Sequence, residues 1–277
     1  MNKKIFVFYH ANCPDGFSSA WIFRKKFKDQ AQYFDFNYHR NISLEVKNGE
    51  IYFVDVSPKE ETIKKLSQNN NRLILVDHHI SSKGKLPLFN EVVFDINHSA
   101  AVLSWFYLFP NKKIPLLFKY IEDIDLWKFK LPYSHELNCV VDNYDFTFEN
   151  WDKLVKWFDN KKKVKDLVKT GKIIWKYKNK LVRDIAKKAE LVEFEKEKVM
   201  VVNSSVLISE VGNYLLTQHN IPYSIVWHKA NKKILVSLRA NGKLDVSKIA
   251  EKYHGGGHKN ASGFVLEDLN KIPWKNI

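Results

Sequence analysis

Three short apolar runs, each stopping at an acid or a histidine, constrain this chain more than any other feature. Ile5–Tyr9 stops at His10, Ile51–Val54 at Asp55, and Leu73–Val76 at Asp77-His78-His79. Short apolar runs without alternation suit strands buried on both faces. Between them lie stretches of helical spacing. Phe17–Phe27 repeats Phe17, Ala20, Trp21 and Phe23, and Lys59–Gln68 reads as a helix with Ser57 as N-cap and Pro58 as its first residue. Gln32–Phe36 and Val92–Phe94 are two further strands, the second ending at Asp95. Strands separated by helices predict βαβ units and a parallel sheet.

From Ala100 to about residue 183 the pattern turns helical, with apolar spacing over Ala101–Phe109, Leu116–Asp123 and Trp151–Phe158. Thr170-Gly171 reads as a break, followed by a long charged helix over Lys172–Leu191. A second α/β pattern begins near Val199. Strands are expected at Val199–Val202, Tyr223–Trp227 and Ile234–Leu238, the last two joined through Asn231-Lys232, and helices at Val211–Gln218 and Val246–Tyr253. Gly255-Gly256-Gly257-His258 reads as a loop and Ala261–Val265 as the last strand. The expected fold is therefore bilobal α/β. A parallel-sheet domain with helices on both faces occupies residues 1–190, and a smaller α/β domain occupies 191–277.

Composition narrows the class. At roughly 100–200 residues per domain, 277 residues make one large domain or two smaller ones. Hydrophobic residues at 45% supply a packed core. Two cysteines, Cys13 and Cys139, argue against a disulfide framework. There is no apolar run of bilayer length and no signal peptide, so a cytoplasmic location and no membrane partner are expected. The net charge is +14, from 45 Lys and Arg against 31 acids. It either attracts phosphate-bearing partners or reflects lysine written at solvated positions. Lys161-Lys162-Lys163 and Lys172–Arg183 read as exposed helix faces.

Open parallel sheets bind ligands beyond the carboxyl ends of their strands. Three strand ends here deliver His10, Cys13 and Asp15, then Asp55, then Asp77-His78-His79 to one edge. Adjacent imidazoles at a sheet edge are electrostatically costly unless a metal or an anion uses them. Mixed carboxylate and imidazole ligands suit Mn, Zn, Fe or Co. A carboxylate bridging two ions about 3.5–4 Å apart is the usual two-metal hydrolytic design.

Five blocks in order carry a family resemblance over nearly the whole chain: Tyr9-His10-Ala11-Asn12-Cys13-Pro14-Asp15-Gly16-Phe17; Val54-Asp55; Val76-Asp77-His78-His79; Glu122-Asp123-Ile124-Asp125-Leu126-Trp127; and Gly255-Gly256-Gly257-His258-Lys259-Asn260-Ala261-Ser262-Gly263-Phe264. The chain resembles the DHH phosphoesterases with a C-terminal DHHA1 domain. The resemblance implies two divalent ions, Mn2+ first, with Mg2+, Co2+, Fe2+ or Zn2+ as alternatives. It implies His10, Asp15, Asp55 and His78 as ligands, Asp77 orienting His78, and His79 contacting the substrate phosphate or stabilising the charge that develops on it. Asp123 is the implied fourth-motif ligand, with Asp125 a close rival. Cys13 or Asn12 stands where many relatives carry an aspartate, so Cys13 is either a ligand or a thiol packed beside Pro14. In the C-terminal domain the resemblance implies substrate contacts from Arg239, Gly255, Gly256, Gly257, His258 and Asn260.

The expected activity is hydrolysis of phosphodiester bonds in short oligonucleotides or dinucleotides by metal-activated water, in a cleft between the lobes. Cyclic nucleotides, cyclic dinucleotides and phosphoadenosine phosphate are alternative substrates. A non-catalytic nucleotide- or RNA-binding module is the alternative of another class. The partner is a short nucleic acid or nucleotide, with no obligate protein partner, and the chain is a monomer or homodimer.

Overall fold

The computed structural model describes residues 4–36, 46–69, 71–267 and 272–277. The chain divides into two compact units, Met1–Trp175 and Lys176–Ile277.

The first unit begins β1 (Ile5–His10), α1 (Pro14–Phe27), β2 (Ala31–Phe36), β3 (Glu50–Val54), α2 (Glu60–Gln68), β4 (Arg72–Asp77) and β5 (Glu91–Phe94). The five strands form one sheet in the order β2-β1-β3-β4-β5, parallel throughout. Successive side chains leave opposite faces of a strand, and both faces are apolar. Phe6, Phe8, Ile51, Phe53, Leu73 and Leu75 pack with Ile63 and Leu66 of α2 on one side. Val7, Tyr52, Val54, Ile74 and Val76 pack with Phe23 of α1 on the other, and α3 (Ala100–Leu108) adds Leu103 there. This is the parallel sheet covered on both faces that the unalternated runs imply.

The helical remainder is α4 (Leu116–Asp125), α5 (Ser134–Val141), α6 (Phe148–Phe158) and α7 (Lys161–Ala186). Trp151, Phe118, Leu117 and Leu154 centre its core.

The second unit contains β6 (Glu190–Phe194), β7 (Glu197–Asn203), α8 (Ile208–Gln218), β8 (Tyr223–Ala230), β9 (Lys233–Ala240), α9 (Val246–Lys252), β10 (Gly256–His258), β11 (Ala261–Leu266) and β12 (Lys275–Asn276). Its sheet runs β10-β11-β9-β8-β7-β6-β12, with β7 and β8 parallel and the other pairs antiparallel. Val246, Ile249 and Ala250 of α9 cover one face. Val211 and Leu215 of α8, with Val182 and Ala186 of α7, cover the other.

Several expectations are corrected. Ser57 and Pro58 precede α2 and do not open it. Lys59 is the N-cap residue, and the carbonyls of Ser57 and Pro58 accept from Lys85 Nζ at 3.2 and 3.1 Å. Gly256–His258 is an edge strand, not a loop, because its ladder to β11 is made by backbone groups and needs no side chain. Ala261–Leu266 is not the last strand, since β12 pairs with β6. The short helix α5 and strand β6 are not expected from the sequence pattern.

Gly171 does not break a helix; α7 runs through it. A Cβ at Gly171 would fall 2.1 Å from the Glu136 carbonyl oxygen, so the glycine lets α7 lie against the start of α5. The sequence pattern puts the domain junction near residue 190, at the end of this helix, whereas α7 divides its residues between the two compact units.

Alanine is the better helix former by about 1 kcal/mol, so a merely tolerated Gly171 would be improved by Gly171→Ala. The close contact predicts the opposite sign, a loss of about 1–3 kcal/mol from overpacking. Urea unfolding of the two proteins checks it.

Candidate metal centre

Strand register assembles the centre. Tyr9 pairs with Val54 and Val54 with Val76, so the next residues, His10, Asp55 and Asp77, form one row across the carboxyl edge of the sheet. Asp55 has a φ of 61°, a left-handed conformation sparsely populated by residues other than glycine and found preferentially at functional sites. Its amide still donates to Val76 O at 2.9 Å, which fixes the turn. The β1–α1 connection turns sharply at Asn12 and enters α1 through Cys13 and Pro14. At Gly16 a Cβ would meet His10 O at 2.4 Å, so only glycine allows α1 to start this close to the strand end. That proximity carries Asp15 into the site.

The Asp55 carboxylate is the hub. Oδ2 lies 3.1 Å from His10 Nδ1, and Oδ1 lies 3.2 Å from His78 Nε2 and 3.7 Å from His79 Nδ1. His78 Nε2 is also 3.4 Å from Asp125 Oδ2 and 3.9 Å from Asp15 Oδ2. Three ligand sets overlap: His10, Cys13 and Asp55; Asp15, His78 and Asp125; and Asp55, Asp77, His78 and His79. The donor atoms within each set lie within 4.8 Å of one another. Asp15 also caps α3, accepting from Ala100 N at 2.7 Å and Ala101 N at 2.9 Å.

The electrostatics are those of carboxylates crowded in a low-dielectric pocket. Burial, then Asp125 and Asp55, raise Asp15 well above the usual carboxylate range. Burial and Asp55 push Asp125 up to about 6. Burial acts the same way on Asp55, but the hydrogen bonds from His10 and His78 override it and hold Asp55 low. Burial opposes charge on His78, yet Asp55, Asp125 and Asp15 raise it to about 10. The Cys13 thiol is raised by burial and by Asp55, Asp125 and Asp15. Four acids, three imidazoles and a thiol meet here. The mixed oxygen and nitrogen donors, with carboxylates destabilised by their own company, could hold a divalent metal ion.

Asp77 meets the ring of His79 and not that of His78, the ring it was expected to orient. Oδ1 accepts from the amides of His78 and His79 at 2.8 and 3.2 Å and lies 2.7 Å from His79 Nδ1, while Oδ2 accepts from Ser82 Oγ. Asp77 therefore orients His79. Burial works against its charge, but His79 and Ser82 hold its carboxyl below the usual range.

The fourth motif is resolved by geometry. Asp125 reaches His78, and Asp123 does not join the cluster. Asp123 is buried and accepts from Lys130 N at 2.8 Å, Leu131 N at 3.1 Å and Ser134 Oγ. It organises the turn between α4 and α5, and the expectation of Asp123 as a ligand is corrected accordingly. Two residues apart on a helix, the two aspartates face different ways. Sequence spacing alone could not say which one faced the sheet.

The residues expected to bind substrate lie in the second unit. Arg239, on β9, pairs in register with Ala261 of β11, and its guanidinium donates to Leu238 O and Ser209 Oγ, both at 2.8 Å. Burial lowers its pKa and Glu210 opposes that shift. Gly256, Gly257 and His258 form β10, with Gly255 just before it, and Asn260 sits in the following turn with its carbonyl accepting from Ala240 N at 2.9 Å. The β9–β11 end of this sheet therefore gathers the expected set. Ser209 carries no signal in the sequence; only its contact with Arg239 reveals it.

Comparison with known proteins follows the same two parts. Residues 196–274 match the family model described as the DHHA1 domain. The chain is 30% identical, over 98% of its length, to an uncharacterized protein of Acanthamoeba polyphaga mimivirus, covering 70% of that protein. A solved DHH domain, from a protein described as a member of a family of ribosomal proteins, shares the fold with a TM-score of 0.65 at 12% identity, over 97% of this chain and 84% of that one. The chain belongs to the DHH/DHHA1 phosphoesterases. Within the family it is 26% identical, over 75% of its length and 71% of the relative's, to a protein of Helicobacter pylori named 3',5'-cyclic-nucleotide phosphodiesterase. Among the described residues no helix is long and apolar enough to cross a membrane.

Imidazole binds a metal only when neutral, and although burial opposes charge on His78, its hydrogen bond to Asp55 and the nearby carboxylates raise its pKa to about 10. Metal uptake at pH 7 should therefore release on the order of one proton or more per chain, and apparent affinity should rise with pH between 7 and 10. Calorimetry of Mn2+ binding in buffers of different protonation enthalpy reads the released protons directly; heats independent of buffer would contradict the assignment.

Proposed function

We propose that this DHH/DHHA1 protein is a metal-dependent phosphodiesterase that hydrolyses short oligonucleotides or dinucleotides. The observation carrying this reading is the Asp55 hub, with one ligand set on each carboxylate oxygen. His10, Cys13 and Asp55 would hold one ion, and Asp15, Asp55, His78 and Asp125 the other. When bound, such a pair supplies charge neutralisation for a phosphoryl group and acidification of a water at neutral pH.

The remaining chemistry belongs to the chain. His79 Nδ1 lies 2.7 Å from Asp77 Oδ1, and the ring would serve a phosphoryl oxygen through Nε2. Burial opposes charge on this ring, but Asp77 and Asp55 raise its pKa, which favours the form that can donate a hydrogen bond to developing negative charge. Asp77 fixes that ring in place and is a positioning residue. Arg239 and the β10 glycines offer a guanidinium and unhindered backbone groups suited to a second phosphate or a base edge. No nucleophilic side chain is needed. Manganese is the first candidate ion, because carboxylate and imidazole donors together suit it.

A second reading, opening of a cyclic nucleotide, is favoured by the name of the Helicobacter relative. Both use the same attack and differ only in leaving group.

A panel assay with Mn2+ separates them: dinucleotides, short RNA, 3',5'-cyclic nucleotides, phosphoadenosine phosphate and pyrophosphate. Mononucleotide release from dinucleotides, lost by about 10²-fold or more in His79→Ala, is expected. Turnover of cyclic nucleotide alone selects the second reading. Rapid pyrophosphate cleavage with inert dinucleotides would refute both.

A further inference from the structure

The turn after Asp125 is built unlike the rest of the first unit. Trp127, Phe129 and Tyr133 all take positive φ, at 54°, 47° and 62°, a region that aromatic residues rarely enter. One buried residue holds them there. The Asp123 carbonyl accepts from Lys128 N at 2.8 Å and Phe129 N at 3.1 Å, while its carboxylate takes Lys130 N, Leu131 N and the Ser134 hydroxyl. Among the described residues every hydrogen bond to this buried carboxylate comes from residues 130–134, so it imposes the shape of its own loop.

The shape presents aromatic rings. Trp127 stands perpendicular to Phe129 at 4.8 Å between centroids, Phe129 stacks on His135 at 4.1 Å, and His135 stacks on Trp175 at 4.5 Å and 7°. A perpendicular contact covers at most one face of an indole, and Trp127 is 49% exposed. A tryptophan serving only the core would be covered. Cations rim the turn: Lys128 and Lys130 flank Phe129, both exposed, and the Lys172 ammonium lies 5.1 Å over the Tyr133 ring. An open indole, braced by a column of rings and edged by lysines, matches a group that is flat, aromatic and attached to phosphate.

Its place fixes which group. Asp125 Oδ2 is 3.4 Å from His78 Nε2 in the metal centre. Trp127 is two residues further on, so its Cα lies within about 7 Å of that of Asp125. That is the reach from a phosphate to the base of the same nucleotide.

We infer that Trp127 is a base-stacking surface for a nucleotide whose scissile phosphate lies at the metal centre, and that Asp123 is the positioning residue that holds it there. This rests on the reading of the centre as a nucleotide phosphodiesterase. Stacking tolerates any base, so the site selects for the presence of a base and not for its identity.

The test compares wild type with Trp127→Ala, Trp127→Leu and Trp127→Phe on a dinucleotide and on its abasic analogue, with bound metal measured in each protein. Expected is a KM for the dinucleotide raised about tenfold in Trp127→Ala, with kcat and metal content near wild type. Trp127→Leu, apolar but without a π face, should behave like Trp127→Ala, and Trp127→Phe should recover most of the loss. All four proteins should treat the abasic analogue alike. Equal losses on both substrates, or a Trp127→Leu protein as good as Trp127→Phe, would overturn the inference while leaving the phosphodiesterase reading intact. A wild type that cleaves no base-bearing phosphodiester overturns both.

Discussion

The candidate site of the first unit is organised around one buried carboxylate. Asp55 stands at the end of a central strand with histidines on both oxygens and three further aspartates close by. In a folded chain without ions this is a costly arrangement, since burial disfavours each charge and like charges disfavour one another. Burial disfavours a charged His78, but the surrounding carboxylates raise it to about 10, whereas burial and Asp55 push Asp125 up to about 6. Such a cluster is held together by its surroundings. The parallel sheet fixes the row of His10, Asp55 and Asp77, Gly16 admits α1, and the start of α3 is capped by Asp15. A scaffold that keeps repelling groups together makes sense if a cation relieves them.

From that constraint the division of labour follows. Residues whose oxygens or nitrogens converge on Asp55 are candidates for the ions. Asp77 satisfies its own hydrogen bonds with His79, Ser82 and two amides, and so sets the geometry of its neighbours. Asp123 does the same for the α4–α5 turn. The two aspartates are alike in burial and in being fully engaged, and both act by positioning aromatic or imidazole rings at the site.

Much of this was legible in the sequence because strand ends are easy to read. Apolar runs stopping at His10, Asp55 and Asp77 declared both the parallel sheet and the edge where chemistry gathers. Where the sequence misled, side-chain direction or backbone proximity decided. Asp123 and Asp125 both lie within about one helical turn of Trp127, and only the packing of α4 tells which points to His78. Gly171 looked like a break because helix propensity is local, whereas its cause is a Glu136 carbonyl far away in sequence. Gly256–His258 looked like a loop because glycine lacks a pattern-bearing side chain, although its backbone pairs with β11 as well as any other. Ser209 carried no signal at all until Arg239 was seen donating to it.

The central claim is that Asp55 joins two ion sites and that Asp125, not Asp123, completes one of them. Metal content per chain after equilibration with Mn2+ and removal of free ion tests this most directly, in wild type and in Asp55→Ala, Asp125→Ala and Asp123→Ala. The account predicts two ions in wild type, none retained in Asp55→Ala, fewer than two in Asp125→Ala, and two in folded Asp123→Ala. Two ions retained without Asp55, or a loss in folded Asp123→Ala with none in Asp125→Ala, would contradict it.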